Sequence, residues 1–348
     1  MLVNKNKSLK NEMPLHNRRV IFLTEGSRTM GFGHLTRCLA LSQAFSERDY
    51  DSMLIVHGDD SINSVLQNVE YEKKQWLNGI ESIKSRLQNA ILIVDTFSIT
   101  DDLLNELSGI SKITILDDFI RRNHYNRIVI DWTINAENMF YVHKNPSSSY
   151  LLGHKYIALR QPFWDHSDFI IKPLIQNVLI TFGSGDIRQL GPQILSVLQK
   201  KHPSIMKTII IGSASQCKDA VEALEDPLTA IIVDANADEM LSCMTNADIA
   251  IASGGQTLYE LACVGVPTIS VMLIDNQVDD INGWKEVGFT CHAGLWNDAN
   301  LNQNILSVFH DLKTIESRKE KSIIGQSLVD GQGARRIAEF ILQEAHDC

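Results

Sequence analysis

Three stretches of this chain share one pattern, an unbroken apolar run that closes on aspartate: Ala90 to Asp95, Lys112 to Asp118 and Arg127 to Asp131. A strand that is apolar at every position, rather than at every second one, is covered on both faces. That is the condition of a parallel sheet layered between helices. Two more runs precede them, Val20 to Thr24 and Asp51 to His57, with helices expected from His34 onward and over roughly Ser61 to Asn68. On the first helix Leu35, Cys38 and Leu39 share a face. Ligands of such sheets sit in the crevice beyond the carboxyl ends of the strands, so Asp95, Asp117 and Asp131 are all expected at a ligand edge.

The rhythm breaks at Leu159-Arg160-Gln161-Pro162-Phe163-Trp164-Asp165 and then resumes. Strands are expected at Asn177 to Thr181, Lys207 to Gly212, Thr229 to Val233, Asp248 to Ala252 and Thr268 to Ile274, with a helix over Asp238 to Cys243. A length of 348 residues suits two domains. The expected division is a polar, disordered tail over 1–18, a first domain over 19–165 and a second over 166–348. The last helix, about Ala334 to His346, fits either domain. The expected architecture is α/β: two doubly wound, Rossmann-like domains facing each other across a cleft.

Charge and cysteines narrow the function. A net charge of −10 argues against a nucleic-acid partner and requires an anionic ligand to be met by local cations and helix ends. None of the six cysteines is paired at C-x-x-C spacing, and Cys38, Cys243 and Cys263 read as reduced core thiols. No apolar leader region precedes Val20, and no window approaches the length of a membrane span. These point to a cytoplasmic protein without an integral membrane segment. No His, Cys, Asp or Glu group has metal-ligand spacing, and neither a G-x-S-x-G elbow nor a Walker sequence is present, so neither a metal nor a cofactor is expected.

The candidate binding chemistry lies in two glycine turns of the second half. Gly254-Gly255-Gln256-Thr257-Leu258-Tyr259-Glu260 follows a buried strand and opens a helix, which leaves free N–H groups at the positive end of a helix dipole, a seat for phosphate. Thr257-x-x-Glu260 can equally be a capping box. Gly183-Ser184-Gly185 ends another strand of the same half, and two such turns can cradle a diphosphate. In the first half, Gly31-Phe32-Gly33 precedes His34 at a helix start, where the dipole disfavours the imidazolium and keeps the ring able to accept a proton. Arg37, one turn later, is either an exposed helix arginine or the partner of a phosphate or carboxylate. Asp95 and Asp117-Asp118 are acid/base carboxylates, sugar-hydroxyl acceptors or simple caps. Asn276-Gln277, after the strand that follows the Gly254 turn, are candidates for contacting a sugar or water.

Gly-x-Gly-His-x-x-Arg in the first half, then Ser253-Gly254-Gly255-x-Thr257-x-x-Glu260, Gly265-x-Pro267 and Asn276-Gln277 in the second, together resemble the GT-B glycosyltransferase-like proteins. Within that group they are most similar to the UDP-sugar hydrolases of the pseudaminic-acid pathway and their spore-coat-polysaccharide relatives. Val233 through Pro267 is also similar to the nucleotide-binding half of the transferase that makes peptidoglycan lipid II. The resemblance covers about residues 19–345.

It implies a GT-B fold and a UDP-linked diacetamido-trideoxy sugar as substrate, cleaved at the anomeric C–O bond with UDP leaving. By the same resemblance His34 is the catalytic histidine that activates water, and Asn276 stands near that water. Glu260 binds ribose, and Met240 falls in a base-binding loop. Gly183 and Ser184 with Gly255 to Thr257 hold the diphosphate, and Gly254 belongs to the same turn. Asp117 and Arg160, with Gly33, Arg37, Asp95 and Gln277, lie near the sugar. The sequence departs from the family where Leu23-Thr24-Glu25 stand in place of Arg-x-Asp, and in the pair Gly254-Gly255. A UDP-sugar glycosyltransferase and a non-catalytic nucleotide-sugar-binding protein are the alternatives, and a monomer or weak homo-oligomer is expected.

Overall fold

The structure, a computed structural model, describes residues 19–66, 69–118, 121–138, 145–166, 169–183, 185–212, 215–273 and 278–346. Two parallel sheets carry it. The first consists of β1 (Arg19–Gly26), β2 (Asp51–Gly58), β3 (Tyr71–Lys73), β4 (Ile91–Asp95), β5 (Ile113–Leu116), β6 (Ile128–Asp131) and β7 (Ser149–Leu152), in the order β3-β2-β1-β4-β5-β6-β7. The second consists of β8 (Asn177–Thr181), β9 (Met206–Ile211), β10 (Thr229–Val233), β11 (Ile249–Ser253), β12 (Thr268–Met272) and β13 (Thr290–Leu295), in the order β10-β9-β8-β11-β12-β13. Both are doubly wound, as expected.

Strand order reverses beside β1 in one sheet and beside β8 in the other, and a doubly wound sheet opens its ligand crevice at such a reversal. The first switch point is flanked by the turn after β1, which leads to His34, and by the carboxyl end of β4, which is Asp95. The second is flanked by Gly183, after β8, and Gly254-Gly255, after β11. The topology therefore delivers the motifs to the two crevices that a doubly wound sheet offers to a ligand.

The apolar strands are buried on both faces. Phe22 of β1 meets Phe45 of α1 (Gly33–Ser46) edge to face at 6.3 Å between ring centroids. Leu35, Cys38 and Leu41 of the same helix are fully buried. The last helix, α11 (Gly333–His346), packs on α1 in the first half. Ala334, Ile337, Ala338 and Ile341 enter that core, and Arg335 pairs with Glu47 at 2.8 Å. A division that gives everything after residue 165 to the second domain is corrected on this point: the chain crosses back, and its last helix completes the first domain. Gly333 permits the approach, since a Cβ there would collide with the Ile157 backbone.

Two further differences have local causes. The helix expected over Ser61 to Asn68 is a 3-10 turn over Asp60–Ser64, because Asp59 and Ser64 side chains hydrogen-bond the nearby backbone in place of a helical ladder; residues 67–68 lie outside the described residues. The edge strands β3 and β7 lack a fully buried run, with only Leu151 and Leu152 of β7 deeply buried, and so carry no continuous apolar signal.

Candidate active site

His34 is the second residue of α1, at the amino end of the helix, and is largely buried. Its Nδ1 lies 2.7 Å from Oδ1 of Asp95, the last residue of β4, which is wholly inaccessible to solvent. A carboxylate only accepts, so Nδ1–H donates to it, and a neutral imidazole then carries its lone pair on Nε2. Arg37, one turn along α1, donates through Nε to Asp95 Oδ2 at 2.9 Å and through Nη2 to Oδ1. Its Nη1 donates to Asp118 Oδ2 at 2.5 Å, and its guanidinium lies 5.1 Å from the Trp132 ring centroid. Burial would raise the Asp95 carboxyl, but the charges and hydrogen bonds of Arg37 and His34 outweigh it and hold the carboxyl at about 2. Asp95 is thus an ionised anchor that fixes the histidine ring.

This placement corrects the expectation for Asp95 and decides between the readings left open for Arg37. Asp95 was expected to contact sugar, yet it is fully buried and occupied by His34 and Arg37. Arg37 is not an exposed helix arginine; it is buried, and its carboxylate partners belong to the protein itself. Asp117, expected as a second catalytic carboxylate, is likewise fully buried: His124 Nε2 donates to Oδ2 at 2.8 Å, Arg121 Nε to Oδ1 at 3.0 Å and Arg122 N–H to Oδ2 at 3.2 Å. Burial raises this carboxyl, but His124, Arg121 and Arg122 outweigh it and hold it below the ordinary carboxylate range. It organises the segment after β5.

The Leu23-Thr24-Glu25 departure also has a structural role. Glu25 Oε1 accepts the N–H groups of Phe97 at 2.6 Å and Ser98 at 3.1 Å, tying the end of β1 to the loop after β4. Phe97 meets the His34 ring at 4.8 Å between centroids and an interplanar angle of 76°.

In the second half, α7 (Gln256–Val264) begins after Gly255, which serves as its cap with φ of +107° and no side-chain cap. Of the two readings open for Thr257-x-x-Glu260, the capping box is not formed. A capping box occurs instead at α6 (Ala237–Asn246), between Asn236 and Glu239. Glu260 is one turn inside α7, too far along to reach the cap, and its Oε1 accepts from Arg160 Nε at 3.0 Å and Nη2 at 2.7 Å. Gly183 has φ of +73°, and a Cβ at Gly33, Gly183 or Gly255 would meet nothing within 4 Å, so these backbone turns stand open to a ligand. The two glycine turns differ in one respect. Asp186 already accepts the N–H groups of Leu190 and Gly191, both at 2.9 Å, at the start of α4 (Leu190–Lys201). At α7 the carboxylate comes from another helix and takes the cap residue's own N–H, Gly255 to Asp280 Oδ2 at 3.2 Å, while no side chain caps the N–H groups of the first turn. Met240, which the resemblance puts in a base-binding loop, is a buried residue of α6, the helix expected over Asp238 to Cys243. Ser184, Asn276 and Gln277 lie outside the described residues, as does the tail over 1–18.

α7 is also where the halves meet. Gln256 Nε2 donates to the Ala158 carbonyl at 2.7 Å, and Tyr259 Oη accepts from Ile134 N–H at 3.0 Å while donating to Asp280 Oδ1 at 2.7 Å. Asp280 Oδ2 accepts from Gly255 N–H at 3.2 Å. Sequence reasoning passed over Tyr259 and Asp280, because Asp279-Asp280 reads as ordinary acid in the first turn of α8 (Val278–Glu286). Phe97, two residues past the Asp95 strand end, was legible but unremarked.

Asp280 gives a pH prediction. Burial raises its carboxyl to about 6, with Asp118 and Asp131 adding to the shift and the Tyr259 and Gly255 hydrogen bonds opposing it. A folded value above the unfolded 3.8 favours folding below that value, and the advantage is lost as pH rises through about 6. The stability of wild type relative to Asp280→Asn should therefore improve as pH falls from 7 to 4, by up to about 3 kcal/mol. Urea melts at several pH values would show it; a difference that stays flat with pH rejects the assignment.

Among the described residues no helix is long and apolar enough to cross a membrane, and no group of three or more His, Cys, Asp or Glu side chains is disposed to hold a metal. No family model matches the chain. Spore coat polysaccharide biosynthesis protein SpsG of Bacillus subtilis is 23% identical over 339 residues, 93% of this chain and 97% of its own. Protein MJ1062 of Methanocaldococcus jannaschii is 26% identical over 75% of this chain, and the pseudaminic acid cytidylyltransferase and UDP-2,4-diacetamido-2,4,6-trideoxy-beta-L-altropyranose hydrolase of Helicobacter pylori is 24% identical over 75%. The matches span 56% and 45% of the lengths of those two proteins. The UDP-GlcNAc 2-epimerase of Neisseria meningitidis, solved with UDP-GlcNAc, matches 93% of this chain and 100% of its own at TM-score 0.62 and 14% identity. Acinetobacter baumannii MurG matches 93% and 99% at TM-score 0.58 and 15% identity. The fold is GT-B, and the resemblance to the spore-coat and UDP-sugar hydrolase proteins is borne out.

Proposed function

We propose that the protein hydrolyses a UDP-linked amino sugar at its anomeric C–O bond and releases UDP, in nonulosonic-acid or surface-polysaccharide biosynthesis. The observation that carries this reading is the His34–Asp95 pair: an imidazole at a ligand crevice whose Nδ1 is committed to a buried, ionised carboxylate. Such a ring is preset to take a proton at Nε2. His34 then removes a proton from water as the oxygen attacks the anomeric carbon, and the sugar–phosphate bond breaks toward UDP. The start of α7, where no side chain caps the first-turn N–H groups, and the open turns at Gly183 and Gly255 receive the diphosphate; the first-turn N–H groups stabilise its developing charge, while Gly255 N–H stays with Asp280. Asp95 and Arg37 position the base. We assign Asn276 and Gln277 to the water and sugar by resemblance alone.

A panel of UDP- and CMP-sugars, followed for nucleotide release with and without acceptors, tests the reading. Release of UDP without an acceptor is expected. Turnover only with an acceptor would make the protein a transferase, and tight binding without turnover would make it a binding protein.

Glu260 is proposed to accept from the ribose hydroxyls, with Arg160 holding its carboxylate in place. A hydrogen bond to a charged group contributes about 1.5–3 kcal/mol, so Glu260→Ala should weaken UDP binding by about 10- to 100-fold. Calorimetry that finds the affinity unchanged would remove the ribose role.

A further inference from the structure

The Tyr259 hydroxyl has one proton and two acceptors within reach. Asp280 Oδ1 lies at 2.7 Å and the Trp132 carbonyl at 3.3 Å, while Ile134 N–H donates to the hydroxyl oxygen at 3.0 Å. Trp132 and Ile134 follow β6 in the first half of the molecule, whereas Tyr259 and Asp280 belong to the second. The group is closely held. The Trp284 ring meets the Tyr259 ring edge to face at 4.9 Å between centroids, and a Cβ on Gly283 would collide with the Ile134 side chain. Tyr259 and Asp280 are both buried. Asp280 Oδ2 reaches the other way, to the N–H of Gly255 at the start of α7. One carboxylate thus touches both the proposed diphosphate seat and the joint between the halves.

Among the described residues no cation contacts Asp280; its partners are a hydroxyl and a peptide N–H. Asp118, after β5, and Asp131, at the end of β6, face it from the first half. Arg37 is committed to Asp95 and Asp118. On α7, Glu260 is paired with Arg160, and burial keeps Cys263 a thiol. β12 has no titratable side chain; those of β13 are Cys291 and His292, and the His292 ring lies 3.4 Å from Ser270 Oγ. Asp279, Lys285 and Glu286 are the other charged residues of α8. Burial, with Asp118 and Asp131, raises the Asp280 carboxyl to about 6. A diphosphate at the first turn of α7 brings further negative charge beside it.

We propose that Asp280 and Tyr259 are positioning residues that couple nucleotide binding to the uptake of one proton and to the joint between the halves. This rests on the nucleotide-binding part of the reading above. With Asp280 ionised, Tyr259 donates its proton to Oδ1. When Oδ1 takes a proton from solvent the bond reverses: Oδ1–H donates to the Tyr259 oxygen, and the hydroxyl proton turns to the Trp132 carbonyl. The N–H bonds of Gly255 and Ile134 persist in both states. Protonation therefore removes a negative charge from beside the seat and adds a hydrogen bond across the joint. An arriving diphosphate favours that state.

The test is calorimetry of UDP binding between pH 5.5 and pH 8.5, in buffers of low and high ionisation enthalpy, which counts the protons taken up. Wild type is compared with Asp280→Asn and Tyr259→Phe. An asparagine amide accepts from Gly255 and donates to Tyr259 as the protonated acid does, so it mimics that state at every pH. The phosphate of UDP titrates alike with both proteins, so their difference isolates Asp280. Near pH 7 wild type should take up more protons than Asp280→Asn, by a large fraction of one. The two affinities should agree at pH 5.5, and at pH 8.5 Asp280→Asn should bind UDP about tenfold tighter than wild type. Tyr259→Phe takes the hydroxyl donor from the ionised carboxylate, so its affinity should break at a higher pH than that of wild type. Equal proton uptake, or no gain in affinity for Asp280→Asn at pH 8.5, would overturn the coupling. A break unmoved in Tyr259→Phe would overturn the relay. UDP carries no sugar, so failure of the hydrolytic chemistry leaves these measurements intact. If wild type binds no UDP at any pH, the nucleotide reading fails and the coupling with it. The relay is then judged by infrared difference spectra between pH 5 and pH 8. They must show a protonated carboxyl that Asp280→Asn lacks, with the tyrosine C–O stretch shifting at the same midpoint; without both, the relay is overturned.

Discussion

His34→Ala should lower the rate of UDP release by about 10²- to 10⁴-fold, the range supplied by a positioned general base, while changing UDP affinity by less than about twofold. The separation follows from the fold. His34 stands at the switch point of the first sheet, beside β1 and β4, whereas the proposed diphosphate seat belongs to the second, beside β8 and β11. The substitution is also mild for the core. Alanine suits an amino-terminal helix position, and Arg37 remains to satisfy both oxygens of Asp95. Loss of turnover in a folded, UDP-binding variant is therefore interpretable as lost chemistry. A variant that turns over like wild type would sink the mechanism, and one that loses UDP affinity to the same degree would place His34 in binding instead.

What was legible in the sequence divides by the range of the interaction. Strands buried on both faces announce themselves in a single run of residues, so β4, β5, β6, β8, β9 and β11 were found close to their true limits; β10 was found too, from its apolar composition, although it is a half-buried edge strand. Glycine turns and the helix-start histidine are equally local. Pairings across long separations are not: His34 and Asp95 are 61 positions apart, and Arg160 and Glu260 are 100 apart. No local pattern says that Asp95 is consumed by His34 and Arg37 while Asp117 is consumed by His124, Arg121 and Arg122. Both aspartates end apolar runs and look alike until the sheet order is known. Glu260 shows the same limit. Thr-x-x-Glu has the spacing of a cap, but whether Thr257 or Gly255, two residues earlier, caps the helix is decided by Gly255 and its positive φ.

Removing the Arg37 side chain tests the other half of the construction. Asp95 is fully buried and Asp118 largely so, and Arg37 is the cation that contacts both. Arg37→Ala should cost about 3–5 kcal/mol in urea unfolding, the usual consequence of stranding a buried charge. The loss should depend on pH. Asp95 is held at about 2 against 3.8 unfolded, so the stability it contributes is present above 3.8 and disappears as pH falls through about 2. It amounts to about 2 kcal/mol, most of which the variant no longer has. The gap between wild type and Arg37→Ala should accordingly narrow between pH 4 and pH 2. A gap that is small at neutral pH, or that stays constant on acidification, would show that Arg37 does not stabilise the Asp95 carboxylate. Asp95→Asn separates stability from chemistry at the same point. It keeps the shape and leaves the Arg37–Asp118 pair in place, so it should destabilise less than Arg37→Ala. An asparagine amide can donate to Nδ1 and hold the ring in the tautomer that protonates Nε2, which removes the base as effectively as deleting it. Turnover in Asp95→Asn should then fall about as far as in His34→Ala although more of the fold's stability survives, and that pairing of effects is one that a purely structural aspartate would not produce.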